Sequence, residues 1–125
     1  MTLTAGEVVT EFISRIGKLD IDGACELLAP DVHYDNVPME PKHDGRDAVR
    51  DALKMFLGAS PTVEWRVERQ AVTGQVVMNE RVDCFEMGGK PLAIPVAGIF
   101  EVNDKGLITL WRDYFDLQTV TNQMS

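Results

Sequence analysis

Between residues 4 and 17 apolar side chains recur three and four apart, at Val8, Val9, Phe12, Ile13 and Ile16. That spacing places them on one face of a helix. Thr4 and Glu7 precede them three residues apart, the hydroxyl-and-carboxylate pattern of a capping box. A shorter helix is expected over 21–28, with Ala24, Leu27 and Leu28 inward and Pro30 as its stop. Val32 to Asp35 reads as a short strand. Asn36 to Gly45 contains Pro38 and Pro41 and reads as loop. Asp44 or Gly45 opens a further helix over about 46–58, with Val49, Leu53, Phe56 and Leu57 on its buried side, ended by Gly58 and Pro61.

After Pro61 the period changes to two. Val63, Trp65 and Val67 alternate with Glu64, Arg66 and Glu68, which predicts a strand over 62–72. Thr73-Gly74 is a turn, Gln75 to Met87 a long strand, and Gly88-Gly89 a turn into a strand from Pro91 to Val102. Asn103 to Gly106 turns the chain into a last strand, Leu107 to Asp116. Residues 117–125 are expected to be a frayed or partner-contacting tail. Helices first and four sequential strands after them predict an α+β domain, with helices packed on one face of an antiparallel sheet. No repeat or linker divides the chain, so residues 1–125 read as one domain. A long sheet curved around its helices would enclose a pocket.

Composition narrows the functional classes. The chain of 125 residues is 45% apolar, enough for one core. A formal net charge of -8 disfavours nucleic acid and anionic membrane as partners. No apolar run approaches the ~20 residues that span a bilayer, and the start lacks the basic-then-apolar pattern of a signal peptide. A cytoplasmic location is the expectation. Cys25 and Cys84 form no CxxC pair and read as reduced, packed thiols.

The chemistry concentrates in the last strand. Trp111, Asp113 and Phe115 share one face of it, and Arg112, Tyr114 and Asp116 the other. With the Trp111 face inward, Asp113 is a buried acid between two rings, which requires either a partner or a task. Arg81 and Asp83 are two apart on an earlier strand, so their Cα atoms lie ~6.5–7 Å apart on one face. Val77 and Phe85 share that face, while Val76, Met78, Val82 and Cys84 make the other face apolar as well, so this strand is expected to be covered on both sides. A buried Arg and Asp must be paired. In a meander of the later strands, the planar fork of Arg81 comes within reach of both Asp83 and Asp113. Such a triad is open to two readings: an ion network that holds the sheet together, or an acid/base pair. Tyr34 and Asn36 project to one side of an extended segment and add a donor/acceptor pair. These five residues are the tools for activating a water, one carboxylate taking a proton and the other giving one. Keeping an Asp protonated at pH 7 requires raising it from ~3.9 by about three units. His33 and His43 lack any recognised metal spacing, and His33 points away from Tyr34, toward solvent or the sheet edge. No nucleophile elbow or Gly-rich phosphate loop is present.

Tyr34-Asp35-Asn36-Val37-Pro38, Gly45-Arg46-Asp47-Ala48-Val49, Arg81-Val82-Asp83, Gly98-Ile99-Phe100 and Trp111-Arg112-Asp113-Tyr114-Phe115-Asp116 together resemble limonene-1,2-epoxide hydrolases. These belong to the cone-shaped α+β group that includes SnoaL-like cyclases, ketosteroid isomerases and nuclear transport factor 2. The resemblance covers about residues 5–118. It implies N-terminal helices on the concave face of a strongly curved, mixed, mostly antiparallel sheet. It also implies one-step opening of a lipophilic epoxide by water, with no covalent enzyme intermediate and no metal or organic cofactor. By motif, Asp113 would be the general base and Asp83 the general acid. Arg81 would bridge them, and Tyr34 and Asn36 would position the water. A homodimer built on the outer sheet face is also implied. Candidate apolar pocket residues are Met39, Met55, Leu57, Phe85, Ile94, Val96 and Phe115. The competing readings are an isomerase or cyclase of the same architecture, and a non-catalytic dimeric small-molecule-binding module.

Overall fold

Residues 3–125 are described by a computed structural model. The capping box forms as its spacing requires. The Thr4 hydroxyl accepts from the Glu7 amide (3.2 Å), and the Glu7 carboxylate accepts from the Thr4 amide (2.9 Å). Helix α1 (Ala5–Gly17) buries Val8, Val9, Phe12, Ile13 and Ile16, the face its spacing predicts. Helix α2 (Ile21–Cys25) is shorter than expected. Leu28 belongs instead to strand β1 (Leu28–Val37), which also runs beyond Asp35. Pro30 therefore lies inside a strand and does not stop a helix. The Arg46 side chain fixes the start of β1, donating to the Leu28 carbonyl from Nε (3.0 Å) and Nη2 (2.6 Å). Strand β2 (His43–Asp44) falls within the stretch read as loop and pairs antiparallel with His33 and Tyr34. Two residues are too few to carry a period, so nothing in the pattern marks them.

Helix α3 (Arg46–Leu57) starts at Gly45, whose φ of 93° favours glycine. Strands β3 (Val63–Thr73), β4 (Val76–Met87), β5 (Lys90–Val102) and β6 (Ile108–Phe115) lie within a residue or so of their expected bounds. Their order in the sheet is β2-β1-β6-β5-β4-β3. Only β1 and β6 run parallel, so the sheet is mixed and mostly antiparallel. Helices α1 and α3 cover its inner face.

The core there is aromatic. Phe12 of α1 sets its edge against Trp111 (5.2 Å between centroids), and Tyr34 of β1 stacks on the same indole at 3.9 Å. Phe100 stacks on it from β5 at 6.0 Å. Burying rings of this size contributes roughly 1.5–3 kcal/mol each relative to exposure, and the packing fixes the Trp111 face of β6 inward.

Further expectations fail here. Of the two alternatives for residues 117–125, a frayed or a partner-contacting tail, the frayed one fails: Leu117–Met124 form helix α4. The Asp116 carboxylate caps it, accepting from the Gln118 amide (2.9 Å). Gln123 clamps it to β5, pairing with both the amide and the carbonyl of Ala93 (2.8 and 2.9 Å). Strand β4 is not covered on both sides, since Val76 and Met78 on its outer face are exposed. Val67 is likewise exposed, at a register shift between Val67 and Arg69 that breaks the alternation of β3. Among the described residues no helix is long and apolar enough to cross a membrane.

Candidate active site

The sheet register assembles the polar cluster. On β4 the inward residues Asn79, Arg81 and Asp83 follow one another at alternate positions. Across the sheet Asn79 pairs with Gly98, Gly98 with Asp113, and Asp113 with Asn36. These four residues form one row over β4, β5, β6 and β1. Gly98 leaves a gap in the row, and Arg81 fills it. A Cβ on Gly98 would lie 2.5 Å from Arg81 Nη1 and 2.8 Å from Asp113 Oδ1. Any larger residue at this position forces Arg81 or Asp113 to shift.

Arg81 is fully buried and bridges the two acids. It donates to Asp83 from Nε (2.9 Å) and Nη2 (3.0 Å), and from Nη2 to Asp113 Oδ2 (2.9 Å). The other Asp113 oxygen accepts from Trp111 Nε1 at 2.9 Å. Both Asp113 oxygens thus take N–H donors. Trp65 of β3 lies over the guanidinium, 5.2 Å from ring centroid to Cζ.

Burial and neighbouring charges shift Asp83, Arg81 and Tyr34. Burial pushes the Asp83 carboxyl up to about 6, with the Asp113 charge adding to it, against the hydrogen bonds and charge of Arg81. Burial alone would lower Arg81, but the charges of Asp113 and Asp83 outweigh it and hold it more firmly protonated than an ordinary arginine. Burial, then the Asp113 charge, raises the Tyr34 hydroxyl well above its usual value, so it stays a neutral phenol.

Over this cluster lies a cavity of about 190 Å³, lined by Tyr34, Asn36, Asp83 and Asp113 on an otherwise apolar wall. Of the pocket residues expected from sequence, Met39, Leu57, Phe85, Ile94, Val96 and Phe115 line it. Met55 does not: it sits on the outer side of α3, 72% exposed. Phe56, one residue on, takes the inward position, since adjacent helical residues point about 100° apart. Trp65, Met87 and Leu92 also line the cavity, as do Leu117 and Val120 of α4. The last two were hidden by reading α4 as a tail, although their spacing of three is helical. Asn79 was missed too, although it shares the alternation that picked out Arg81 and Asp83.

His33 stands apart from this cluster. His33 Nε2 is 2.9 Å from Asp35, and its Nδ1 contacts Asp44. Asp35 in turn accepts from Arg112 Nε at 2.8 Å. His43 stacks on Tyr34 at 5.6 Å. No group of three or more His, Cys, Asp or Glu among the described residues is placed to hold a metal ion.

The family model for the limonene-1,2-epoxide hydrolase catalytic domain matches residues 4–125. The epoxide hydrolase EphG of Mycobacterium tuberculosis (strain ATCC 25618 / H37Rv) is 33% identical over 109 residues, 87% of this chain and 71% of that protein. The structure of an M. tuberculosis epoxide hydrolase of this type superposes with a TM-score of 0.82 at 30% identity, covering 96% of this chain and 91% of that one. A protein from Shewanella denitrificans OS-217, described as a SnoaL-like polyketide cyclase, has a TM-score of 0.88 at 15% identity, with 96% of each chain covered, and shares the fold alone. The family model spans nearly the whole chain, and the chain belongs to the limonene-1,2-epoxide hydrolase family.

Proposed function

We propose that this protein opens a compact lipophilic epoxide to a vicinal diol in one step, by direct attack of water. The observation that carries the reading is the Arg81 bridge between Asp83 and Asp113 on the floor of an apolar cavity. Asp113 takes a proton from the water as its oxygen attacks a ring carbon. The carbon–oxygen bond on that carbon breaks, and Asp83 gives its proton to the departing epoxide oxygen. The products are the diol, a protonated Asp113 and an ionised Asp83, and proton exchange with solvent restores the resting state. Tyr34 and Asn36 orient the water; the Asn36 amide otherwise donates only weakly, to Met39 Sδ at 3.9 Å. Arg81 keeps both acids in place and offsets the charge that moves between them. A cavity of about 190 Å³ is smaller than the ~300–1,000 Å³ typical for drug-sized ligands. It suits a single-ring epoxide better than a sterol. Turnover of a panel of cyclic, sterol-like and fatty epoxides tests this, and formation of no diol from any of them overturns it.

The pH dependence follows from Asp83. Its proton is needed for ring opening and is lost through about 6. The expected kcat/KM therefore falls about tenfold per pH unit above that value, and Asp83→Asn abolishes the limb together with most activity. The sign for stability is the same. A carboxyl raised from 3.8 to about 6 on folding contributes stability present below the lower value and lost as pH rises through the higher one. Urea unfolding at several pH values between these limits checks it.

An isomerase or cyclase reading leaves the bridging arginine without a task. We also propose a homodimer. The outer face of β4 to β6 carries Met78, Val82, Cys84 and Tyr114 without a covering layer, and a second copy seated there would bury them. Sedimentation equilibrium is expected to return twice the chain mass, and Tyr114→Glu with Met78→Glu to return the chain mass with the fold kept. The free thiols of Cys25 and Cys84 suit a reducing compartment such as the cytoplasm.

A further inference from the structure

Arg81 has a partner beyond the two acids. Asn79 is buried on the inward face of β4, and its Oδ1 accepts from Arg81 Nη1 at 3.0 Å. Its Nδ2 donates to Gln70 Oε1 at 3.1 Å, and Gln70 Nε2 reaches Thr10 Oγ1 of α1 at 3.4 Å. Arg81 fixes the direction of the amide. Turned over, Asn79 would present N–H groups to a guanidinium that has only donors to offer. The two acids engage Nε and Nη2, while Asn79 engages the remaining nitrogen. A wholly buried guanidinium needs an acceptor at that nitrogen as well, since an unmet buried donor is costly. The acceptor is also neutral. The cluster already holds two carboxylates against one arginine, and an amide satisfies Nη1 without adding a third negative charge. The gap at Gly98 lets this happen, because a Cβ there would lie 3.1 Å from Asn79 Oδ1 as well.

We propose that Asn79 is a positioning residue for the reaction. Its amide, tethered at the far end by Gln70, holds Nη1 of Arg81 so that Nη2 spans Asp83 and Asp113 together. The inference rests on the hydrolase reading of the site. It makes Asn79 act through Arg81 without touching substrate. It also makes the neutrality of Asn79 part of the proton balance at Asp83.

Two variants test it. Asn79→Leu keeps the size and removes the acceptor. The expected result is a kcat lower by about tenfold to a hundredfold, the scale known for the outer partners of metal ligands, with KM within about twofold. Asn79→Asp keeps the acceptor and adds charge. The groups facing Asp83 are Arg81 on its own strand, Asp113 on β6 and Tyr34 on β1. A third carboxylate competing for Arg81 weakens the hold of that cation on Asp83. Its titration, followed by carbon NMR of labelled aspartate carboxyls, is expected to move up by about half a unit or more. The alkaline limb of kcat/KM moves with it. Unchanged kcat in the Leu variant overturns the inference. So does an unmoved Asp83 midpoint in the Asp variant, which decides the matter alone if the Leu variant does not fold. The carboxyl titration needs no substrate. If the unaltered protein turns over no epoxide, the hydrolase reading fails, and the titration still decides whether Asn79 governs the Arg81–Asp83 pair.

Discussion

Asp113→Asn is expected to lower kcat for epoxide hydrolysis by about 10²–10⁴-fold, the usual worth of a general base, in a protein that remains folded. The side chain keeps its shape, and the stacked rings of Trp111, Tyr34 and Phe12 that fix β6 are untouched. What changes is the chemistry of its two oxygens. One accepts from Trp111 Nε1 and the other from Arg81 Nη2, both at 2.9 Å. An asparagine has one acceptor, so one of these donors meets an NH₂ group, at a cost of about 1–3 kcal/mol. The amide also has no usable basicity, so the water keeps its proton. Circular dichroism and a thermal melt verify the fold, and initial rates on an epoxide that the unaltered protein hydrolyses measure the loss. Wild-type turnover in Asp113→Asn would remove Asp113 from the proposed role. KM is expected to change little, because the apolar wall that holds the substrate is intact.

Arg81→Leu is expected to have the largest effect on stability, a loss of about 3–5 kcal/mol, because it strands two buried carboxylates. Asp83 and Asp113 are each less than a tenth exposed, and the guanidinium they share is fully buried. The same principle makes a second prediction that runs the other way. Combining Arg81→Leu with Asp83→Asn and Asp113→Asn removes every charge of the triad and should recover part of that loss, the remainder reflecting buried amides that no longer meet Arg81. Activity stays lost in both. Urea unfolding of the single and triple variants separates the two effects. A triple variant that is both more stable than the single one and inactive marks the triad as kept for chemistry. A triple variant as unstable as the single one marks it as a strut.

How much of this was legible beforehand differs from element to element. The inward face of β6 was readable because Trp111, Asp113 and Phe115 alternate with polar residues, and packing on Phe12 and Tyr34 then decides between the two faces. Arg81, Asp83 and Asp113 were readable as partners because a fully buried charge has few places to go. The pairing of Asn36 with Asp113 was not readable, since it depends on β1 running parallel to β6, a long-range choice that no local pattern encodes. Helix α4 was missed because its cap, Asp116, follows directly on strand β6, and the strand pattern before it dominated. Asn79 was passed over for a simpler reason. A neutral amide signals nothing in a sequence until its neighbour proves to be a buried arginine.

The central claim is that water, not an enzyme carboxylate, attacks the epoxide. A single turnover in ¹⁸O-water with enzyme in excess over substrate tests it most directly. Direct attack predicts a diol carrying one ¹⁸O from the first turnover and no label in the aspartates. An unlabelled first-turnover diol, with ¹⁸O appearing in Asp83 or Asp113, would contradict it and indicate an ester intermediate.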